Sequence, residues 1–218
     1  MTLAERDLTE LGTSTVSDAL DWAGIGGQLF GLRTVRPGPA AVGRAYTVRY
    51  ESAGPVPGTV GDFIDDVPAG AVVVIQNNGR TDVTVWGDLM TSVASARGVA
   101  ATVIDGVHRD FDRADALSYP IYSRGTYMRT GKDRVQIASV GEAVTVSGCL
   151  VEPGDLVIAD SDGVVVVPRS REAAVIERAW AIHDAEQAIR KAIAGGQTLK
   201  EARAAVGYHA LQTRGAGR

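Results

Sequence analysis

Cysteine, histidine and lysine are scarce in this chain, and each scarcity removes a class of chemistry. One cysteine, Cys149, in 218 residues excludes an internal disulfide framework and any CxxC metal or redox site. Its place in an apolar run reads as a small buried residue in a strand, and the chain fits a reducing compartment. Three histidines, His108, His183 and His209, show neither HxxxH nor HExxH spacing, which leaves a zinc-hydrolase site without support. Three lysines, Lys132, Lys191 and Lys200, lie in polar or terminal stretches and offer little to a Schiff-base mechanism. No GxSxG elbow marks a serine nucleophile. No run approaches the ~20 apolar residues of a membrane span. Met1 to Glu10 carries acids and no apolar core, so no signal peptide is read there, and the chain is expected to be soluble and cytoplasmic with no membrane partner. The basic residues form no stripe, and a net charge of −4 with a pI near 5.4 argues against a nucleic-acid partner.

What is present suits a compact enzyme. Hydrophobic residues make up 45% and charged residues 22%, enough for one substantial core, and residues 1–218 are expected to form one domain with a C-terminal helix (about 170–194) and a tail. Helical and strand-like segments alternate, which predicts an α/β class. A first helix is read over 15–23, with Thr15 or Ser17 as cap and Gly24 as stop. Strands are read over 42–50, 71–76, 101–104 and 140–148, and a hairpin over 156–160 and 163–167. Val42-Gly43-Arg44-Ala45-Tyr46-Thr47-Val48 echoes Val140-Gly141-Glu142-Ala143-Val144-Thr145-Val146, too short for a repeat. Residues 59–66 suggest a brief helix, and Asn77-Asn78-Gly79 a turn. Three tempting motifs fail. Gly24-Ile25-Gly26-Gly27 lacks both the third glycine of GxGxxG and a preceding strand; Asp160-Ser161-Asp162-Gly163 lacks the remaining ligands of a calcium loop; and His108-Arg109-Asp110 lacks the asparagine and Gly-rich loop of a kinase.

The chemistry concentrates in Trp86-Gly87-Asp88-Leu89-Met90 and Asp105-Gly106-Val107-His108-Arg109-Asp110. Leu89, Met90, Val93 and Ala96 recur at helical spacing up to Gly98, which places Gly87 and Asp88 where a loop enters a helix. Free N–H groups and the positive end of the helix dipole at such a point bind a carboxylate or phosphate, and Gly87 allows close approach. Asp88 either caps this helix or faces the ligand. The β-branched run 101–104 delivers the second segment to the carboxyl end of a strand, where α/β sites form. Arg109 offers a planar cationic fork for an oxyanion, and Asp110 a hard oxygen ligand suited to Mg²⁺ or Mn²⁺. Together they fit a metal-bound keto acid; as an ordinary surface ion pair they would need no further meaning. On the last helix, Val175, Ala179, Ile182, Ile189 and Ile193 form an apolar stripe that also carries Glu186. A carboxylate there requires a partner or a subunit boundary.

Gly87-Asp88-Leu89-Met90, Ala96-Arg97-Gly98-Val99-Ala100, Val103-Ile104-Asp105-Gly106 and Arg109-Asp110 resemble the RraA-like superfamily. Within it they resemble the divalent-metal class II pyruvate aldolases of the 4-hydroxy-4-methyl-2-oxoglutarate/4-carboxy-4-hydroxy-2-oxoadipate type. Thr15-Val16-Ser17-Asp18-Ala19-Leu20, Pro153-Gly154-Asp155 and Asp160-Ser161-Asp162-Gly163-Val164 extend the likeness over residues 10 to 200. The resemblance implies a β/β/α swivelling-type domain with a mixed sheet, assembled as homotrimers or hexamers with sites at subunit interfaces. It also implies a metal on Asp110, Arg109 on the keto oxygen of a small 2-oxo acid, and that substrate's carboxylate on the amides of Gly87, Asp88, Leu89 and Met90. Asp88, and Glu186 from a neighbouring subunit, would act in the outer sphere of the metal. Oxaloacetate decarboxylation would accompany aldol cleavage. The non-catalytic members, regulators of an RNA-degrading endonuclease, lack the acid after the arginine; this chain keeps it. Residues 52–66, short and rich in Gly and Pro, depart from the aldolase pattern and leave the distal substrate pocket undefined.

Overall fold

The computed structural model describes residues 6–34, 40–55 and 58–208; His209 and the end of the tail lie outside them. Helix α1 (Thr13–Ala23) is followed by β1 (Arg33–Thr34), the long β2 (Ala41–Ser52) and β3 (Val72–Thr84). Then come α2 (Asp88–Ala96), β4 (Ala101–His108), α3 (Phe111–Ala116), β5 (Ile121–Thr126) and β6 (Val135–Val140). The chain closes with β7 (Val144–Val146), β8 (Cys149–Val151), β9 (Leu156–Asp160), β10 (Gly163–Val167), α4 (Glu172–Ala194) and α5 (Leu199–Ala205).

The main sheet is mixed, in the order β1-β5-β4-β3-β2-β9-β10, with β6 also paired to β2. Strands β2 to β5 run parallel, and β1, β6, β9 and β10 are antiparallel to their neighbours. Strand β4 lies between two parallel neighbours and is buried at every position, as a continuous apolar run requires. On one face, Ile75, Ile104, Trp86, Ala94 and Ala114 form a core with α2 and α3. On the other, Val144, Val146 and Val151 of the β7–β8 hairpin pack on Val74, Val103 and Tyr122. A β/β/α layering results. Beside it, α1 and α4 cover β9 and β10 through Val16, Leu20, Ile158, Val167 and Trp180. Fully burying a valine, leucine or isoleucine contributes roughly 1.5–3 kcal/mol, so these three clusters set the layer order. Among the described residues, no helix is long and apolar enough to cross a membrane.

Several local expectations change for identifiable reasons. Helix α1 begins at Thr13, earlier than either expected cap; Gly12 precedes it, and the Asp160 carboxylate accepts from Thr13 N (2.8 Å) and Thr13 Oγ1 (2.6 Å). A distant aspartate thus replaces a local cap. Asn77-Asn78-Gly79 does not reverse the chain. Asn78 and Gly79 take positive φ (54° and 68°), yet β3 continues with a shifted register, Arg80 facing Gly106. Both neighbours of β3 are parallel to it, so the extra residues form a bulge rather than a hairpin. The segment 140–148 is not one strand. It breaks at Gly141 (φ 74°), and Ser147 and Gly148, also at positive φ, turn β7 into β8, which carries the half-buried Cys149. The stretch 59–66 holds only a 3-10 turn, Asp62–Asp66. Ser170 does not cap α4, which starts after Arg171; Ile193 is exposed, and α5 follows with a Thr198/Glu201 capping box that the sequence reading left in the tail.

Candidate functional site

Strands β3 and β4 are adjacent and parallel, so the loops leaving their carboxyl ends lie side by side. One is Val85-Trp86-Gly87, entering α2; the other is Arg109-Asp110, entering α3. The Arg109 N–H donates to the Trp86 carbonyl (3.0 Å) and ties them together. Trp86 is buried and stacks on Tyr119, and its Nε1 donates to Thr91 Oγ1 (2.9 Å), which in turn donates to the Gly87 carbonyl (2.9 Å). The start of α2 is therefore held rigidly against the core.

Gly87 is the N-cap of α2, and Asp88 is its first residue and makes no capping bond. Asp88 therefore does not cap the helix; it lines a cavity of about 230 Å³ together with Gly87, Leu89, Met90 and Arg109. Asp110 lies outside that lining but touches the start of α2. Its Oδ2 accepts from the Asp88 N–H (3.2 Å) and pairs with Arg109 Nε (3.2 Å). The Arg109 and Asp110 side chains are 38% and 39% exposed, so this is an ion pair that a ligand can reach. Asp110 adopts φ 58°, a left-handed conformation that Asp tolerates better than most residues and that this chain also uses at Asn78, Ser118, Asp133 and Ser147. Gly87 has ordinary extended backbone (φ −151°), so its glycine answers to space: a Cβ there would lie 2.8 Å from Asp110 Oδ2 and 3.2 Å from Arg109 Nε. The N–H groups of Leu89 and Met90, in the first turn, have no acceptor inside the helix.

Arg109 also borders a second hollow of about 260 Å³, with Asp110, Thr126, Tyr127 and Met128. The first cavity is also lined by Val60, Gly61, Thr130, Gly131 and Lys132, none of which the sequence reading placed at the site. Tyr50, buried, donates its hydroxyl to the Val60 carbonyl and fixes that part of the wall. His108, next to Arg109, is buried; its Nδ1 meets Ser123 Oγ (3.0 Å), and burial pushes its pKa down to about 4. It supports the loop as a neutral ring.

Two sequence candidates stand elsewhere. Asp105 lies inside β4 and pairs with Arg124 (2.6 Å), and together they hold the Ser147 turn of the β7–β8 hairpin. Glu186 meets Arg190 (3.1 Å) and Tyr208 (3.0 Å) on the C-terminal helices and none of the site residues of its own chain. Among the described residues, no group of three or more His, Cys, Asp or Glu assembles as a metal cage. The donors that do exist, Asp110 with Asp88 beside it, match a hard divalent ion that takes one or two protein carboxylates and completes its shell with water and substrate oxygens.

A mixed β/β/α sheet with a helix start and an Arg-Asp pair at neighbouring strand ends defines a class that comparison with known proteins makes specific. Residues 13–166 match the RraA-like family model, described as Aldolase/RraA, and the chain belongs to that family. It is 38% identical over 201 residues to protein DlpA of Legionella pneumophila, which covers 91% of this chain but only 33% of that protein. The chain thus spans about a third of that relative's length. A Halalkalibacterium halodurans protein named "Putative 4-hydroxy-4-methyl-2-oxoglutarate aldolase" is 30% identical, covering 83% of this chain and 84% of its own. Among solved structures, an uncharacterized protein from Pseudomonas syringae pv. tomato superposes with a TM-score of 0.84 at 43% identity, covering 90% of this chain and 94% of that one. Streptomyces coelicolor RraAS2, described as an unusual member of the RNase ES inhibitor RraA family, does so with a TM-score of 0.79 at 28% identity, covering 84% and 94%.

Proposed function

We propose that this protein is a divalent-metal-dependent lyase that cleaves a 4-hydroxy-2-oxo acid between C3 and C4, releasing pyruvate and a second oxo compound. The observation that carries this reading is the meeting of Arg109 and Asp110 with the start of α2, made possible by the missing Cβ of Gly87. Asp110 is the protein ligand assigned to Mg²⁺ or Mn²⁺, with Asp88 nearby. When bound, such an ion supplies Lewis-acid polarisation of the 2-oxo group.

The Asp88 amide is taken by Asp110, so of the amides at 87–90 those of Leu89 and Met90 are assigned to the substrate carboxylate, aided by the helix dipole. The Arg109 guanidinium faces the C2 oxygen. As the C3–C4 bond breaks, its electron pair moves onto the pyruvyl fragment as an enolate, and Arg109 stabilises the oxygen that gains charge. Asp88 is assigned to moving the proton that leaves the C4 hydroxyl and to its return to C3. Glu186 joins in that role only as a residue contributed by a neighbouring subunit of a trimer or hexamer. Decarboxylation of oxaloacetate yields the same enolate, so this activity should accompany aldol cleavage.

The likeness to RraAS2 supports a second reading, a regulator that docks on an endonuclease. One assay separates the two: pyruvate release from oxaloacetate and from 4-hydroxy-4-methyl-2-oxoglutarate, with EDTA and with added Mg²⁺. Chelator-sensitive release supports the lyase. Absence of release from both acids with Mg²⁺ present would remove it and leave the regulator.

A further inference from the structure

Asn77 and Asn78 are the only asparagines in the chain, and they sit together in the bulge of β3. Their surroundings differ. Asn77 is 1% exposed, whereas Asn78 is open to solvent and is followed by Gly79. The register pairs Gln76 with Asp105 and Arg80 with Gly106, and among the described residues it assigns 77–79 no partner on either neighbouring strand. The Gly79 N–H therefore serves no rung of those ladders. Gln76 Nε2 donates to Asn78 Oδ1 (2.8 Å), which polarises the amide and makes its carbon more electrophilic. Gln76 is itself anchored, because its Oε1 accepts from Thr145 N (2.8 Å) of the β7–β8 hairpin.

Asparagine amides are thermolabile, and a following glycine has no Cβ to obstruct its backbone nitrogen on the way to the amide carbon. We propose that Asn78 is a site of spontaneous deamidation, converted in the folded protein to aspartate and isoaspartate. Gly79 N attacks Asn78 Cγ; the new C–N bond forms, the Cγ–Nδ2 bond breaks, and ammonia leaves with the proton of the Gly79 amide. Water then opens the cyclic imide at either carbonyl, so the sum of the steps consumes one water and releases one ammonia. The backbone swing that the attack requires breaks no ladder bond, since 77–79 have no register partner. Asn77 is spared, being buried and followed by a residue with a side chain. The product places a carboxylate in a bulge that adjoins Arg124: a Cβ on Gly79 would lie 3.5 Å from Arg124 Nε, the atom that pairs with Asp105. Ageing of the chain thus adds negative charge near the Asp105–Arg124 pair that holds the Ser147 turn.

The test is peptide mapping by tandem mass spectrometry of the folded full chain, sampled during incubation in mildly alkaline buffer. Released ammonia is measured in parallel, and circular dichroism verifies that the fold persists. The wild-type peptide holding Asn77-Asn78-Gly79 should gain the mass difference between a hydroxyl and an amino group, located at residue 78. It should separate into two chromatographic forms, aspartate and isoaspartate. Asn78→Asp, which tolerates the same left-handed backbone, should lose the ammonia release that accompanies this shift. An unchanged mass at residue 78, a shift located at residue 77, or conversion that begins only after unfolding in urea overturns the assignment.

Discussion

The main-chain N–H of Asp88 donates to Asp110 Oδ2 across two loops, so the carboxylate proposed to hold a metal occupies an amide at the start of α2, and the proposed substrate carboxylate is left with those of Leu89 and Met90. Both depend on the open space above Gly87.

Replacing Gly87 with alanine tests that space directly. Because φ is −151°, alanine brings no backbone strain, and the collision falls on Asp110 and Arg109 alone. Pyruvate release should fall by about a hundredfold, the usual penalty of displacing a catalytic group by about 1 Å. The thermal midpoint should hardly move.

Asp110→Asn keeps the shape of the side chain and removes its charge. The wild-type melting temperature should rise with Mn²⁺ concentration, as any ligand of the folded state requires, and that rise should vanish in the variant together with Mg²⁺-dependent turnover. A variant that still responds to Mn²⁺ would place the ion elsewhere.

Glu186 offers a test across subunits. Arg109→Ala should lose about 10²–10³ in kcat with a smaller change in binding. If Glu186 completes a neighbour's site, mixing subunits of Arg109→Ala with subunits of Glu186→Gln should regenerate some intact sites, and activity should exceed that of either variant. Equal activity before and after mixing would confine Glu186 to its ion pair with Arg190 and its bond from Tyr208.

His108 sets a pH dependence of stability. Its pKa falls from about 6.5 in the unfolded chain to about 4 in the folded one, because burial disfavours the charged ring. As pH drops below 6.5 the unfolded chain takes up a proton that the folded chain refuses. Stability from this group is therefore complete above pH 6.5 and lost progressively down to about pH 4, by up to about 3 kcal/mol in all. Urea unfolding between pH 7 and 5 should show this slope, and His108→Gln should flatten it.

Much of the near half of the site was legible in the sequence. Gly87, Asp88, Leu89, Met90, Arg109 and Asp110 form two short runs, each at a strand end, and local pattern places such ends well. The far half was not. Thr130-Gly131-Lys132 carries no periodicity or motif, and its approach to β3 depends on contacts between residues more than forty positions apart in the case of Thr84 and Gly131. Lys132, which by sequence lies only in a polar stretch, is among the residues lining the cavity for that reason. Asp105 shows the opposite error: it belongs to a motif of the family, yet β4 runs on past it to His108 and turns it toward Arg124.

By itself the sequence determined the α/β class and the two runs that carry a helix start and an Arg-Asp pair, because these follow from hydrophobic period, glycine placement and side-chain chemistry over a few residues; the family was legible through the resemblance of its motifs. Tertiary structure alone decided which of those groups meet, that Asp160 rather than a local residue caps α1, that Asn77-Asn78-Gly79 bulges instead of turning, and which loop lines the cavity opposite α2. Each of those outcomes depends on the energy of a contact between distant segments, and such energies do not exist until the sheet has brought the segments together.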